Sequence, residues 1–352
     1  MKRILLLIDN MGQGGAERQM SYLAIGFKRK GYEVRLIKFF QGESVYKDDL
    51  DKANIKIEVA PCGTSKIKRP LYIAKVIRKW KPDKVIVYKD GACMAACIAR
   101  MLTKFKLIVS ERNTTQILSK RERIKFHLYR MADIVVPNSR SQANFLIKNT
   151  PWLKHKLCVI TNTIDTEKFS PGIEKSEACH RIITTARIAP QKNILNYIEA
   201  IAILKKDGVK AHFDWYGRPE HQDYFDEIKN RVNQLELDDY ITFHGGVSNI
   251  EECYRNATHF CLPSLYEGFP NVLCEAMASG LICTASNVCD NPYIIHDSNL
   301  LFDPEDPISI ADTIKRSLDL SVEKQVKLRK ANRDNIVNLC SAEAFITQYE
   351  AL

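Results

Sequence analysis

The 352 residues carry 52 Lys and Arg against 42 Asp and Glu, a net charge of +10, with 45% apolar residues and eleven cysteines. That length exceeds one ordinary α/β domain and suits two, each able to bury its own core. No run of eighteen apolar residues occurs and the apolar start at 1–8 is shorter than a secretory core, which excludes a membrane span and a signal peptide and makes the cytoplasm the expected compartment.

The opening Arg3-Ile4-Leu5-Leu6-Leu7-Ile8 is a short continuous apolar run, followed by glycines and by helical spacing over 16–30; this predicts a buried parallel strand, a loop and a helix. Further strands are predicted at 34–39, 55–59, 84–88, 107–110, 134–137 and 157–160, most of them separated by helical stretches. The rhythm argues a parallel sheet wound on both faces. Residues 166–176, centred on Ser170-Pro171-Gly172, break it and mark a linker. It then restarts, with strands at 182–186, 213–216, 241–244, 260–263 and 281–285 and helices at 194–206, 224–235 and 271–279. Residues 307–350 read as terminal helices. Cys93, Cys97, Cys261, Cys274 and Cys283 sit in apolar segments, as reduced cysteines do.

Three loops carry residues suited to chemistry. Gly12-Gln13-Gly14-Gly15-Ala16-Glu17 joins the first strand to the first helix, but a dinucleotide fingerprint needs glycine where Glu17 stands, so a nicotinamide or flavin site is not supported. Its glycines serve either a tight turn or close approach of backbone amides to a phosphate or sugar. Arg187 and Lys192, five positions apart in a strand-to-helix loop, are either solvated charges or a clamp for a diphosphate. In the third loop Glu267 precedes a helix and Glu275 sits about one turn inside it. Gly268 permits close backbone approach, Pro270 suits a first helical turn, and the amides of 268–273 point where an anion would bind. Glu275 alone also fits a partner of the helix dipole.

Taken together these segments resemble the family-4 retaining glycosyltransferases of the GT-B fold, whose hallmark is two glutamates separated by seven residues, as in Glu267 and Glu275. Arg187 to Lys192 matches the family's basic pair, and Gly14-Gly15-Ala16-Glu17-Arg18 its N-terminal glycine loop. Ser110-Glu111-Arg112-Asn113, Val136-Pro137-Asn138-Ser139 and the stretch from Thr161 to Phe169 extend the likeness over nearly the whole chain. The resemblance implies two doubly wound, Rossmann-like parallel-sheet domains facing a central cleft: an acceptor domain at 1–168, which the C-terminal helix at 340–352 is a candidate to rejoin, and a nucleotide-sugar domain at 177–339. It implies Glu267 on hydroxyls of the donor sugar and Glu275 on the ribose, with Arg187 and Lys192 on the diphosphate. Gly14, Gly15 and Gly268, Phe269, Pro270, Asn271, Val272 and Leu273 would add backbone contacts, while Gly217, Gly245 and Val247 would line the base pocket. Glu111, Arg112 and Asn113 stand on the acceptor side, where many relatives carry a histidine, so no catalytic histidine is assigned. The family's glycine-rich stretch beyond the second glutamate reads here Ser286-Asn287-Val288-Cys289-Asp290-Asn291-Pro292.

No metal and no cofactor are implied beyond a nucleotide-sugar, expected to be a UDP-sugar, given up to a lipid-linked or polysaccharide acceptor. His244, Cys253, His259 and Cys261 match no compact zinc module and read as core or strand-end residues. Residues 1–170 hold a charge balance of +19 and residues 171–352 one of −9. A basic half suits an anionic surface. Lys66-Ile67-Lys68-Arg69 with Lys75, Arg78, Lys79 and Lys81, interleaved with Leu71, Tyr72, Ile73 and Trp80, and Lys120 to Lys125 beside Phe126, have the pattern of helices lying on an anionic membrane, here its cytoplasmic face. Two alternatives stand: a non-hydrolysing UDP-sugar epimerase of the same fold, and a nucleic-acid or membrane-binding module without catalysis, although no nucleic-acid module is recognisable.

Overall fold

The computed structural model describes residues 1–63, 65–112, 114–172 and 180–352, so the end of the linker expected at 166–176 lies outside the described residues. The chain divides into two compact units, Met1–Thr163 with Ala342–Leu352, and Ile164–Ser341. The first runs β1 (Arg3–Ile8), α1 (Gly15–Arg29), β2 (Glu33–Lys38), α2 (Lys47–Lys52), β3 (Ile57–Val59), α3 (Lys68–Trp80), β4 (Lys84–Tyr88), α4 (Asp90–Leu102), β5 (Leu107–Glu111), α5 (Lys120–Leu128), β6 (Ile134–Pro137) and α6 (Arg140–Asn149). The second runs β7 (His180–Thr185), α7 (Ile194–Lys206), β8 (Ala211–Tyr216), α8 (Gln222–Gln234), β9 (Ile241–Gly245), α9 (Ile250–Arg255), β10 (His259–Leu262), α10 (Asn271–Ala278), β11 (Ile282–Ser286), α11 (Asn291–Ile294), β12 (Leu301–Phe302), α12 (Pro307–Leu318) and α13 (Val322–Cys340); α14 (Ala342–Ala351) closes the chain in the first unit.

Each unit is a doubly wound sheet of six parallel strands, ordered β3-β2-β1-β4-β5-β6 and β12-β11-β10-β7-β8-β9. The apolar run of β1 is buried on both faces. Ile4, Leu6 and Ile8 pack with Met20, Leu23 and Phe27 of α1 and with Phe345, Ile346 and Tyr349 of α14, while Leu5 and Leu7 meet Ile73 and Ile77 of α3 and Cys93 and Cys97 of α4. In the second sheet Phe213, Trp215 and Cys261 face α7 and α12; Ile183, Phe260 and Leu262 face α10 and α13.

Two expectations need correction. Residues 157–160 form no strand: Leu157 makes an isolated bridge to Val135, and the Gln19 side chain then takes the place of a strand partner, its Nε2 donating to Thr163 O and its Oε1 accepting from Thr163 N, both at 2.8 Å. The two basic clusters are also thinner than their sequence implies. Arg69 is buried on Asp9 at 3.2 Å and lies over Phe39 and Phe40, while Ile73, Lys125 and Phe126 turn inward. Ile67, Leu71, Ile117 and Ile124 stay exposed, among exposed Lys66, Lys68, Lys75, Lys120, Arg121 and Arg123. Among the described residues no helix is long and apolar enough to cross a membrane.

His259 illustrates how completely the second core excludes water. Its ring Nε2 faces Ser317 O at 3.3 Å and Nδ1 faces Thr258 Oγ1 at 3.0 Å, and burial pushes the imidazole down to about 3. An unfolded histidine titrates near 6.5, so below that pH the unfolded chain binds a proton that the folded one refuses, and stability is lost as pH falls from there towards the folded value. We expect this residue to cost about 1.5 kcal/mol between pH 6.5 and 5. Urea unfolding across that range should show the loss in the wild type and not in His259→Gln; equal acid slopes would contradict it.

Candidate active site

In both sheets the strand order reverses beside the first strand, between β7 and β10 in the second unit and between β1 and β4 in the first. Loops leaving the strand ends there diverge and open a crevice, the usual ligand site of such folds. In the second unit the loop after β7 ends in a single 3-10 turn, Pro190–Lys192, and in Asn193, held left-handed at φ 58°. Asn193 Nδ2 reaches Pro263 O at 3.1 Å and Pro304 O at 2.6 Å, which pins this loop to those after β10 and β12. Gln191 completes the seam: its carbonyl accepts from Leu265 N at 2.9 Å and its side-chain amide donates to Tyr266 O at 2.8 Å.

The seam brings Lys192 Nζ to 2.5 Å from Glu267 Oε1, with side chains only 13% and 10% exposed. Arg187 stands apart, paired at the surface with Glu220 at 2.8 Å. Glu275 lies on the buried face of α10, where the Tyr254 hydroxyl lies 3.4 Å from its Oε2 and 3.3 Å from Val272 O. No side chain caps α10, which begins after Pro270 and has no acidic residue in its first turn. Phe269 and Leu273 point into the core, so only their backbone is available to a ligand. Gly217 is required by packing: a Cβ there would stand 1.8 Å from Ala186 O, and its amide donates to Gly245 O at 2.7 Å. Gly245 has φ 70° with open space around it, and Val247 is exposed. Gln191, Tyr254 and Cys289, whose Sγ accepts from Glu267 N at 3.4 Å, join the site without having been expected. Only Cys289 left a signal, standing in the stretch that departs from the family's glycines.

In the first unit Gly14 is the extended N-cap of α1, and Gly15 is the helix's first residue. A Cβ on Gly14 would meet Glu17 Oε2 at 2.5 Å, and Glu17 is ion-paired with Lys89 from the end of β4. Asp9 lies between the Gly91 amide, 3.0 Å away, and Arg69; burial raises its carboxyl above the usual range against the pull of that guanidinium. Glu111 is corrected from an acceptor contact to a core residue. Its carboxylate is 1% exposed, 3.0 Å from Lys125 Nζ and 3.1 Å from the Tyr129 hydroxyl that donates to it. Arg112 likewise turns its Nη donors inward, onto Asn162, the Tyr88 hydroxyl at 2.6 Å and the Tyr349 hydroxyl at 2.7 Å, fastening α14 to the sheet. Asn113 lies outside the described residues. Among the described residues no group of three or more His, Cys, Asp or Glu side chains is arranged to hold a metal ion.

Residues 13–168 match the family described as Glycosyltransferase Family 4, and residues 164–335 match Glycosyl transferases group 1. The chain is 24% identical over 333 residues, 91% of its own length and 89% of the relative's, to the GalNAc-alpha-(1->4)-GalNAc-alpha-(1->3)-diNAcBac-PP-undecaprenol alpha-1,4-N-acetyl-D-galactosaminyltransferase of Campylobacter jejuni. It is 23% identical over 321 residues, 86% of its length and 88% of the relative's, to the amylovoran biosynthesis glycosyltransferase AmsD of Erwinia amylovora. Among solved structures, a glycosyltransferase from Rickettsia africae superposes with a TM-score of 0.88 at 18% identity, covering 99% of this chain and 97% of that one. HepE of Anabaena in complex with UDP and glucose does so with a TM-score of 0.82 at 19% identity, covering 100% and 99%.

Burial separates the charge pairs at these strand ends. Lys125→Met leaves the Glu111 carboxylate uncompensated in the core and should cost about 3–5 kcal/mol in denaturant unfolding, with Glu111→Gln on top recovering most of it. Arg187→Met breaks a pair that water screens and should leave the unfolding midpoint unchanged.

Proposed function

From the premise that this chain belongs to glycosyltransferase family 4 and carries the GT-B fold, we propose that it moves an N-acetylhexosamine or hexose from a UDP-sugar to a lipid-linked or polysaccharide acceptor, with retention and without a metal ion, at the cytoplasmic membrane face. The observation that carries the reading is the Lys192–Glu267 pair at 2.5 Å beside the uncapped start of α10. A donor diphosphate gives the ammonium a stronger partner than one carboxylate. It thereby releases Glu267 to accept hydrogen bonds from sugar hydroxyls. When the bond between C1 and the diphosphate oxygen breaks, the electron pair leaves with the UDP, and Lys192, Arg187 and the α10 N-terminus stabilise that charge; the acceptor hydroxyl forms the new bond to C1 and passes its proton to an oxygen of the departing diphosphate. Glu275, eight positions on and buried, suits the ribose hydroxyls. The Campylobacter relative is named for transfer to an undecaprenol-linked glycan, which supports a lipid-linked acceptor, and production of surface polysaccharide is the setting that the relatives suggest.

The exposed apolar residues of α3, α5 and the loop before α5, set among lysines and arginines, support docking on an anionic bilayer. Flotation should recover the protein with phosphatidylglycerol vesicles and not with phosphatidylcholine, less so in high salt and less so for Leu71→Glu with Ile124→Glu. Equal recovery with both lipids would remove the membrane from the proposal.

The donor site is tested by thermal shift with UDP, GDP, ADP and dTDP, each with and without EDTA. UDP alone should stabilise, by about 2.7 kcal/mol at a hundred times its Kd, and EDTA should not matter. Glu267→Ala should lower turnover at least about a hundredfold while the UDP response is kept or strengthened, because Lys192 loses the carboxylate that competes with the diphosphate, whereas Glu275→Ala weakens the UDP response itself. Wild-type turnover by the Glu267 variant would sink the assignment.

A further inference from the structure

We infer that Cys289 is a positioning residue for Glu267, holding the backbone of that glutamate where its carboxylate can exchange Lys192 for a donor sugar. The thiol is half-buried, and its Sγ accepts the Glu267 N–H at 3.4 Å, an ordinary length for a weak acceptor of this kind. Cys289 reaches that place at a conformational disadvantage. Its φ of 51° lies in the left-handed region that side chains other than those of Gly, Asn and Asp seldom occupy.

The surrounding loop is braced well enough to hold such a conformation. Ser286 Oγ donates to Ser264 O at 2.7 Å, and Asn291 Nδ2 returns to Ser286 O at 2.9 Å. These bonds join the loop after β11 to the loop after β10 on the side opposite Gln191. Glu267 is therefore held from two directions: Lys192 holds the carboxylate and Cys289 the amide. Glycine would adopt the backbone of position 289 without strain, and it would leave the Glu267 amide without this acceptor. The side chain, not the turn, is the reason for cysteine here.

This inference rests on the donor-site reading above, and the experiment separates the two. Cys289→Ala keeps the backbone cost and removes the acceptor; Cys289→Ser restores an acceptor; Cys289→Gly relieves the backbone and removes the acceptor. The probes are UDP, measured by calorimetry, and UDP-glucose, UDP-galactose, UDP-N-acetylglucosamine and UDP-N-acetylgalactosamine, measured by calorimetry and by release of UDP. For the UDP-sugar that the wild type binds best, Ala and Gly should lose roughly two- to tenfold in affinity and in kcat/KM, the worth of one hydrogen bond, with Ser near wild type. The affinity for UDP alone should not change, and Cys289→Gly should melt no lower than the wild type while working less well. Wild-type behaviour of Cys289→Ala, or an equal loss for UDP and UDP-sugar, overturns the positioning role. Full turnover by Glu267→Ala overturns the donor-site reading instead, and this inference with it.

Discussion

At the reversal point of the second sheet an ammonium and a carboxylate, both largely out of water, meet across two loops that are 75 residues apart in the chain. Attraction at 2.5 Å in such surroundings is stronger than between solvated side chains, and the loss of either partner would strand the other. The arrangement around it exists to fix that meeting. Asn193 takes up a left-handed backbone so that its amide can bind the carbonyls of Pro263 and Pro304, and Gln191 bonds the β10 loop through both backbone and side chain. The consequence is a preset geometry: a ligand that replaces the carboxylate on Lys192 finds the loops already placed, and less binding energy is lost in ordering them.

A second constraint acts one strand further along. Gly217 and Ala186 approach so closely that no side chain fits between them, and the Gly217 amide is spent on Gly245. The ends of β7, β8 and β9 are thus drawn together through backbone, with the Arg218 side chain lying beside Gly246 at the same rim. The adjoining Val247 is exposed, whereas Phe269 and Leu273 at the start of α10 are committed to the core beneath.

The elements that could be read from sequence were those whose cause is local. The spacing of Ile194, Tyr197, Ile198 and Ile201 is that of a helix buried on one side, and α7 runs Ile194–Lys206, the range that pattern predicts. Glu267, Gly268, Pro270 and Glu275 share one loop and helix, so their relation is written in spacing alone. Positions decided by a distant partner were opaque. Glu111 looks like a strand-end acid until Lys125, fourteen residues on, turns inward to meet it, and Arg69 looks like a membrane cation until Asp9 claims it. The apolar segment at 157–160 has strand composition, but pairing ends where Gln19 takes over the backbone of Thr163. Cys289 was marked in the sequence only as a departure from the family's glycines; its bond to Glu267 was not legible, because the φ that brings its sulfur there belongs to the turn and not to the residue type.

The two reversal points share a topology and differ in what occupies them. In the first unit each charge has an internal answer: Asp9 meets Arg69 and the Gly91 amide, and Glu17 meets Lys89. The Glu17 carboxylate lies where a Gly14 side chain would begin, so the glycine at 14 has a packing reason that requires no ligand. Placed in the first turn of α1, that carboxylate is also the anion that a helix N-terminus attracts. In the second unit α10 starts without an acidic residue or a side-chain cap, and the nearby cation, Lys192, is matched by a glutamate that a better anion can displace. Both crevices thus hold an internal ion pair, and they differ at the helix start: the first turn of α1 already contains a carboxylate, whereas that of α10 contains none and leaves its amides the more attractive to an external anion.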